Sequence, residues 1–190
     1  MATAAPPAAP ASSAAVPSLF TSAAAGISFL LPAGWTAVEV LPVASIYPTT
    51  TGVEVYNEDG GRVAIFEHWF GGGLGGACGP GEYVGTELDS EPVDLKAAWA
   101  ADAGVRFSYR IQDRTPAGDG VFYHLGLVGK GSDELLNTCH LFSLVTAGDG
   151  SILSFANRGP VFRSVAEAEA YMDTAEYRNV RSMIVSLTLL

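Results

Sequence analysis

His68, His124 and His140 are the only histidines in this chain of 190 residues. They are therefore its natural candidates for proton exchange near neutral pH and for imidazole ligation of a metal. His124 and His140 fall on consecutive predicted strands. Pairing Gly126 with Thr138 would set the two rings opposite each other on one face, and His68 would have to arrive from another strand. Such a trio would suit a zinc-type site or a small hydrolase. However, the chain has no His-x-His, HExxH or CxxC spacing, and Cys139 points to the opposite face from its neighbour His140. Histidines with ordinary hydrogen-bond partners are the expectation. No catalytic residue, metal or cofactor is assigned, and His68, His124 and His140 are kept as an alternative cluster.

Other chemistries are less well supported. The chain has no Gly-x-Ser-x-Gly elbow for a serine nucleophile, and Cys78 has no basic neighbour in sequence to lower its thiol pKa. The run Gly71-Gly72-Gly73-Leu74-Gly75-Gly76 resembles a phosphate loop only in its glycines. It leads into Ala77-Cys78-Gly79-Pro80-Gly81, which cannot open the required helix, and no lysine follows before Lys96. The acidic residues between Glu82 and Asp94 lack the Asp-x-Asp-x-Asp-Gly loop of a calcium site and read as a solvated face. The aromatic end of Glu67-His68-Trp69-Phe70 is more informative, because it stops where the glycine run begins. Trp69, Phe70 and His68, joined by Trp35 and Tyr47, would line a groove for a protein or small ligand; otherwise they cap the core.

These residues must be positioned by short strands. Residues 27–31 run into the turn Pro32-Ala33-Gly34, and 35–40 follow. Residues 53–57 and 62–70 flank Glu58-Asp59-Gly60-Gly61 as a hairpin. Over 105–115 the chain alternates, with Val105, Phe107, Tyr109 and Ile111 on one face and Arg106, Ser108, Arg110 and Gln112 on the other. Residues 121–129 return after Pro116–Gly120, and 134–146 with 151–157 are predicted as a last hairpin. One helix is expected between the cap Ser90 and the stop Gly104, with Pro92 in its first turn. A second opens at Ser164 with Glu167 three residues on, a capping box. The last, from residue 175, carries Tyr177, Val180, Met183, Ile184 and Leu187 on one stripe facing the sheet. The fold class is α+β: an antiparallel meander flanked by helices, with a C-terminal helix packed on the sheet.

Ten basic residues against twenty acidic ones leave a net charge of −10, which argues against nucleic acid as a partner. Lys96 and Lys130 are the only lysines, and so much arginine, alanine and glycine resembles the product of a GC-rich genome. Residues 1–25, rich in Ala, Pro and Ser, read as a flexible leader, the stalk left once a signal or lipid anchor is removed; residues 26–190 form a single domain. The prolines exclude a transmembrane segment there. A Cys78–Cys139 disulfide would tether the glycine run. It would close a loop of about 60 residues, worth roughly 4 kcal/mol in chain entropy. Export to the extracellular space or cell envelope follows from that pairing, and a cytoplasmic location from its absence.

The strand ending Leu31-Pro32-Ala33-Gly34-Trp35, the meander, and the helix ending Met183-Ile184-Val185-Ser186-Leu187 together resemble the PsbP-like fold. Within it they are most similar to the LpqN-type actinobacterial lipoproteins, over roughly residues 26–190. The resemblance implies an antiparallel sheet flanked by helices and a binding or accessory role, usually without catalysis. The expected function is therefore a non-enzymatic accessory or binding domain of the cell envelope or secreted fraction, taking a protein or small ligand near the glycine run. The alternatives are a small envelope hydrolase or metal-dependent enzyme and a cytosolic interaction or secretion-accessory module.

Overall fold

A computed structural model describes residues 16–40, 51–70, 83–139, 141–157, 159 and 161–190. Strand accounts for 44% and helix for 20%, so the helices are a minor layer. Two antiparallel sheets carry the fold. The smaller joins β1 (Ser18–Ser22), β2 (Ile27–Leu31) and the short β11 (Thr188–Leu189), with β2 central. The larger contains β3 (Thr36–Val40), β4 (Thr51–Tyr56), β5 (Arg62–Phe70), β6 (Gly85–Pro92), β7 (Arg106–Asp113), β8 (Val121–Val128), β9 (Val145–Thr146) and β10 (Ser151–Asn157). Their order is β3-β4-β5-β10-β8-β7-β6, with β9 also paired to β10.

One face of the large sheet is apolar. Phe29 of β2 meets Phe155 at 5.2 Å between ring centroids, and Phe66 meets Phe155 edge-on at 6.0 Å. The other half of this face is covered by α2 (Val165–Tyr171) and α3 (Ala175–Val185). Tyr177, Val180, Met183 and Ile184 of α3 are buried there, as the periodicity predicts. Tyr109, Tyr123, Tyr171 and Tyr177 form an aromatic cluster between sheet and helices. Burial raises all four phenols, that of Tyr123 to about 12. Ser164 caps α2 by accepting the Glu167 amide, while the Glu167 carboxylate reaches the amide of Arg163.

The structure departs from the sequence reading in three places. Residues 1–15 of the expected leader lie outside the described residues, but 18–22 form a strand, because Phe20 packs on Phe29 at 5.0 Å and β1 completes the small sheet. The helix expected from Ser90 is reduced to α1 (Ala98–Ala103), closed by Gly104 in the left-handed region as expected. Residues up to Pro92 instead form the edge strand β6, whose carboxylates find arginine partners on both faces of the sheet. Finally, the described residues of 134–146 do not form one strand. A 3-10 turn, Ser132–Leu135, leads into the segment, and among its described residues only Val145–Thr146 joins a ladder.

That last segment lies across the second face of β7 and β8, close enough that Gly126 has no room for a side chain. A Cβ there would stand 2.6 Å from the Phe155 carbonyl oxygen and 2.8 Å from the Ser143 Cβ. Gly126→Ala should therefore lower stability by about 1–3 kcal/mol, read as a shift of the urea midpoint. An unchanged midpoint would show that the covering segment is not seated there.

Candidate functional site

Among the described residues, Trp35 stands apart from the other candidates for the aromatic groove. Trp35 is 8% exposed and sits in the core at the β2–β3 turn. Thr36, beside it, pairs with Tyr56 and thence with Arg62, whereas Trp69 and Phe70 end β5 at its other extremity, about 26 Å away along the strand. Trp69 and Phe70, as neighbours on a strand, point to opposite faces. Phe70 is 49% exposed beside His68, the rings 5.8 Å apart. Tyr47 and Cys78 lie outside the described residues.

The histidines are also separated. His68 stands opposite Leu153 on the apolar face, and His124 opposite Arg110 on the other; His140 lies outside the described residues. Among the described residues no group of three His, Cys, Asp or Glu side chains is placed to hold a metal ion. His68 borders a cavity of about 490 Å³ with Trp99, Ser151 and Leu153. Its Nε2 is 2.8 Å from Ser151 Oγ, which donates to Asp149 Oδ1 at 2.7 Å. The serine proton is committed to the carboxylate, so His68 donates to the hydroxyl. A nucleophile needs the reverse, with the histidine accepting the hydroxyl proton.

The polar face holds what the sequence reading did not single out. Arg106, Arg110 and Arg114 share it at four-residue intervals with Ser108 and Gln112 between them. Arg110 is 2% exposed. Its Nη2 donates to Asp133 Oδ1 at 2.7 Å and to Ser132 Oγ at 3.0 Å, its Nη1 to the Ser132 carbonyl at 2.9 Å, and its Nε to Ser108 Oγ at 2.8 Å. Glu87 Oε2 accepts from both Nε and Nη2 at 3.2 Å, and also binds Arg106 and Ser108. A bulge between Glu87 and Asp89 sends these two carboxylates to opposite faces. Glu87 meets the arginines here, and Asp89 meets Tyr177 and Arg181 of α3 at 2.7 and 2.8 Å. The acidic stretch expected to be solvated is thus engaged on both sides. The available signal was the repetition of long polar side chains on one face of a strand otherwise made for a core.

Beyond Gln112 lies a cleft of about 350 Å³ walled by Phe122, Leu141, Phe142 and Val161, with Arg114 and His124 in its lining. His124 Nδ1 is held 2.6 Å from Ser143 Oγ. The Arg114 guanidinium lies 4.6 Å from the Phe122 ring centroid and 5.1 Å from that of Tyr83. It donates through Nε to Gln112 Oε1 at 2.8 Å, and through Nη2 to the same oxygen and, at 2.5 Å, to the Cys139 carbonyl. Gln112 is fixed in turn by donating to the Thr138 carbonyl at 2.6 Å. Cys139 lines the cleft, and no cysteine among the described residues is free. No protein-family model matches the chain, and no similar curated protein or solved structure was found.

Burial would raise the Glu87 pKa, but the Ser108 hydroxyl and the Arg106 and Arg110 guanidinia outweigh it and hold the carboxyl below its ordinary value. Its stabilising contribution is therefore complete above the ordinary carboxylate range near about 4.3 and is lost as pH falls through the lowered value. Glu87→Gln should be less stable than the unmodified chain at pH 7, and the gap should narrow as pH drops below about 4.3. Urea midpoints across that range test this; a gap independent of pH would show that Glu87 acts by shape and not by charge.

Proposed function

We propose that this chain is a non-enzymatic binding or accessory domain of the cell envelope or secreted fraction, built on an α+β plan of the PsbP-like kind, and that its ligand site is the cleft beside Arg114 and Phe122. The observation that carries this reading is the cleft itself. It pairs apolar walls with a guanidinium held by rings and carbonyls, as binding pockets combine apolar area with a few placed polar groups. The Cys78–Cys139 tether belongs to the same proposal: it would fix the glycine run next to the cleft wall, and that the described cysteine is not free supports it. Two further observations support binding in place of catalysis. Ser151 donates to Asp149 and not to His68, and His68 and His124 face opposite sides of the sheet. No helix among the described residues is long and apolar enough to cross a membrane.

A neutral apolar dye, N-phenyl-1-naphthylamine, tests the site without calling on charge. The full chain should enhance its fluorescence, and Phe122→Ser should weaken binding at least fivefold with an unchanged melting temperature, since Phe122 is 36% exposed and contributes little to the core. Trp69→Ala, at the far end of the sheet, should have no effect. Dye binding that is lost in Trp69→Ala and kept in Phe122→Ser would return the site to the aromatic end of β5.

A further inference from the structure

The three arginines of the polar face differ in how their charge is met. Arg106 and Arg110 each bind two carboxylates, Glu87 and Asp133. Arg181 binds Asp89 and Glu91 on the other face. Arg114 binds none: among the described residues it is the half-buried cation without a carboxylate partner. In a chain with twenty acidic residues against ten basic ones, this is an unusual vacancy. Its Nε and Nη2 are occupied by Gln112 and Cys139, so the plane of the guanidinium is set, and among the described residues Nη1, carrying two N–H groups, has no hydrogen-bond partner. The rings of Phe122 and Tyr83 limit its rotation and its access to water.

We propose that this cleft binds a small amphiphilic monocarboxylate, its carboxylate accepting from Arg114 Nη1 and its apolar body lying against Phe122, Leu141, Phe142 and Val161. The inference rests on the binding reading above and gives that site its ligand class. A guanidinium already oriented by other partners loses little freedom when an anion arrives, and a partly desolvated charge-assisted hydrogen bond is stronger than one at an open surface. One unpaired cation matches one negative charge. A phosphate or a polyanion would require more positive charge than the described residues of this lining hold and would be disfavoured by the chain's net charge of −10. The apolar walls supply the remaining affinity through burial of the ligand's hydrocarbon.

Octanoate and 1-octanol, equal in chain length and different in charge, separate the two contributions. By isothermal titration at low salt, the full chain should bind octanoate at least tenfold more tightly than octanol, and 0.5 M sodium chloride should shrink that ratio. In Arg114→Gln the ratio should fall to near one, through loss of octanoate affinity with octanol affinity retained. Arg114→Lys should recover only part of it, because an ammonium keeps the charge without the fork or the stack. Equal affinity for octanoate and octanol in the unmodified chain would overturn the carboxylate inference while leaving the apolar cleft standing. Failure to bind octanoate, octanol and the neutral dye alike would sink both. Should Arg114→Gln not fold, the octanoate-to-octanol ratio of the unmodified chain and its salt dependence still decide.

Discussion

Arg110 carries a positive charge into the interior, where an uncompensated guanidinium would cost several kcal/mol, and the elements around it are arranged by how that charge is met. Glu87 arrives from the edge strand β6, Ser108 from the same strand as the arginine, and Ser132 and Asp133 from the segment that crosses the sheet. Each nitrogen of the guanidinium has an acceptor. Nη1 depends on the Ser132 carbonyl alone, while Nε and Nη2 each have more than one acceptor, so β6, β7 and the covering segment are coupled through one side chain.

The same requirement explains why the stretch after β8 abandons the sheet. A strand presents its carbonyls sideways to a ladder; this segment turns them down onto the polar face. Carbonyls of Ser132, Thr138, Cys139 and Ser143 accept from Arg110, Gln112, Arg114 and Ser154 respectively. The sheet thus has two different interiors. One is a hydrocarbon and aromatic layer beneath β2, α2 and α3. The other is a hydrogen-bonded layer beneath the covering segment. The cleft forms at the end of that second layer, where, among the described residues, the supply of carboxylates stops at Arg110 and the next arginine is held by neutral groups.

Most strands were legible because period-two alternation and glycine turns are local signals. Arg106–Asp113 stands where alternation places it, and Ile27–Leu31, Arg62–Phe70, Val121–Val128 and Ser151–Asn157 stand where the turns mark them off. The stripe on α3 and the Ser164 cap were legible for the same reason. Misreadings fell where distant partners overrode local preference. Glu87 and Asp89 hold Gly85–Pro92 in a strand although Ser90 and Pro92 suit a helix start. Buried donors on β7 draw 134–146 out of a strand although its residues favour one. The candidate site was less legible still. Trp35 and Trp69 looked like neighbours from their chemistry, but the topology places them at opposite ends of the large sheet. Arg114 looked like one more polar residue at the end of an alternating strand.

The sequence by itself determined the antiparallel strands, the closing helix and which residues of β7 face each way, because backbone geometry converts spacing into sidedness without reference to anything else. It also determined that charge would be scarce and mostly negative. Only the tertiary structure decided that the polar face of β7 is buried, that its arginines are paired unequally, and that Arg114 is left beside an apolar cleft. Those outcomes depend on which carboxylates and carbonyls reach the face from residues 19 to 27 positions away along the chain. Spacing along a single strand holds no record of what will lie above it.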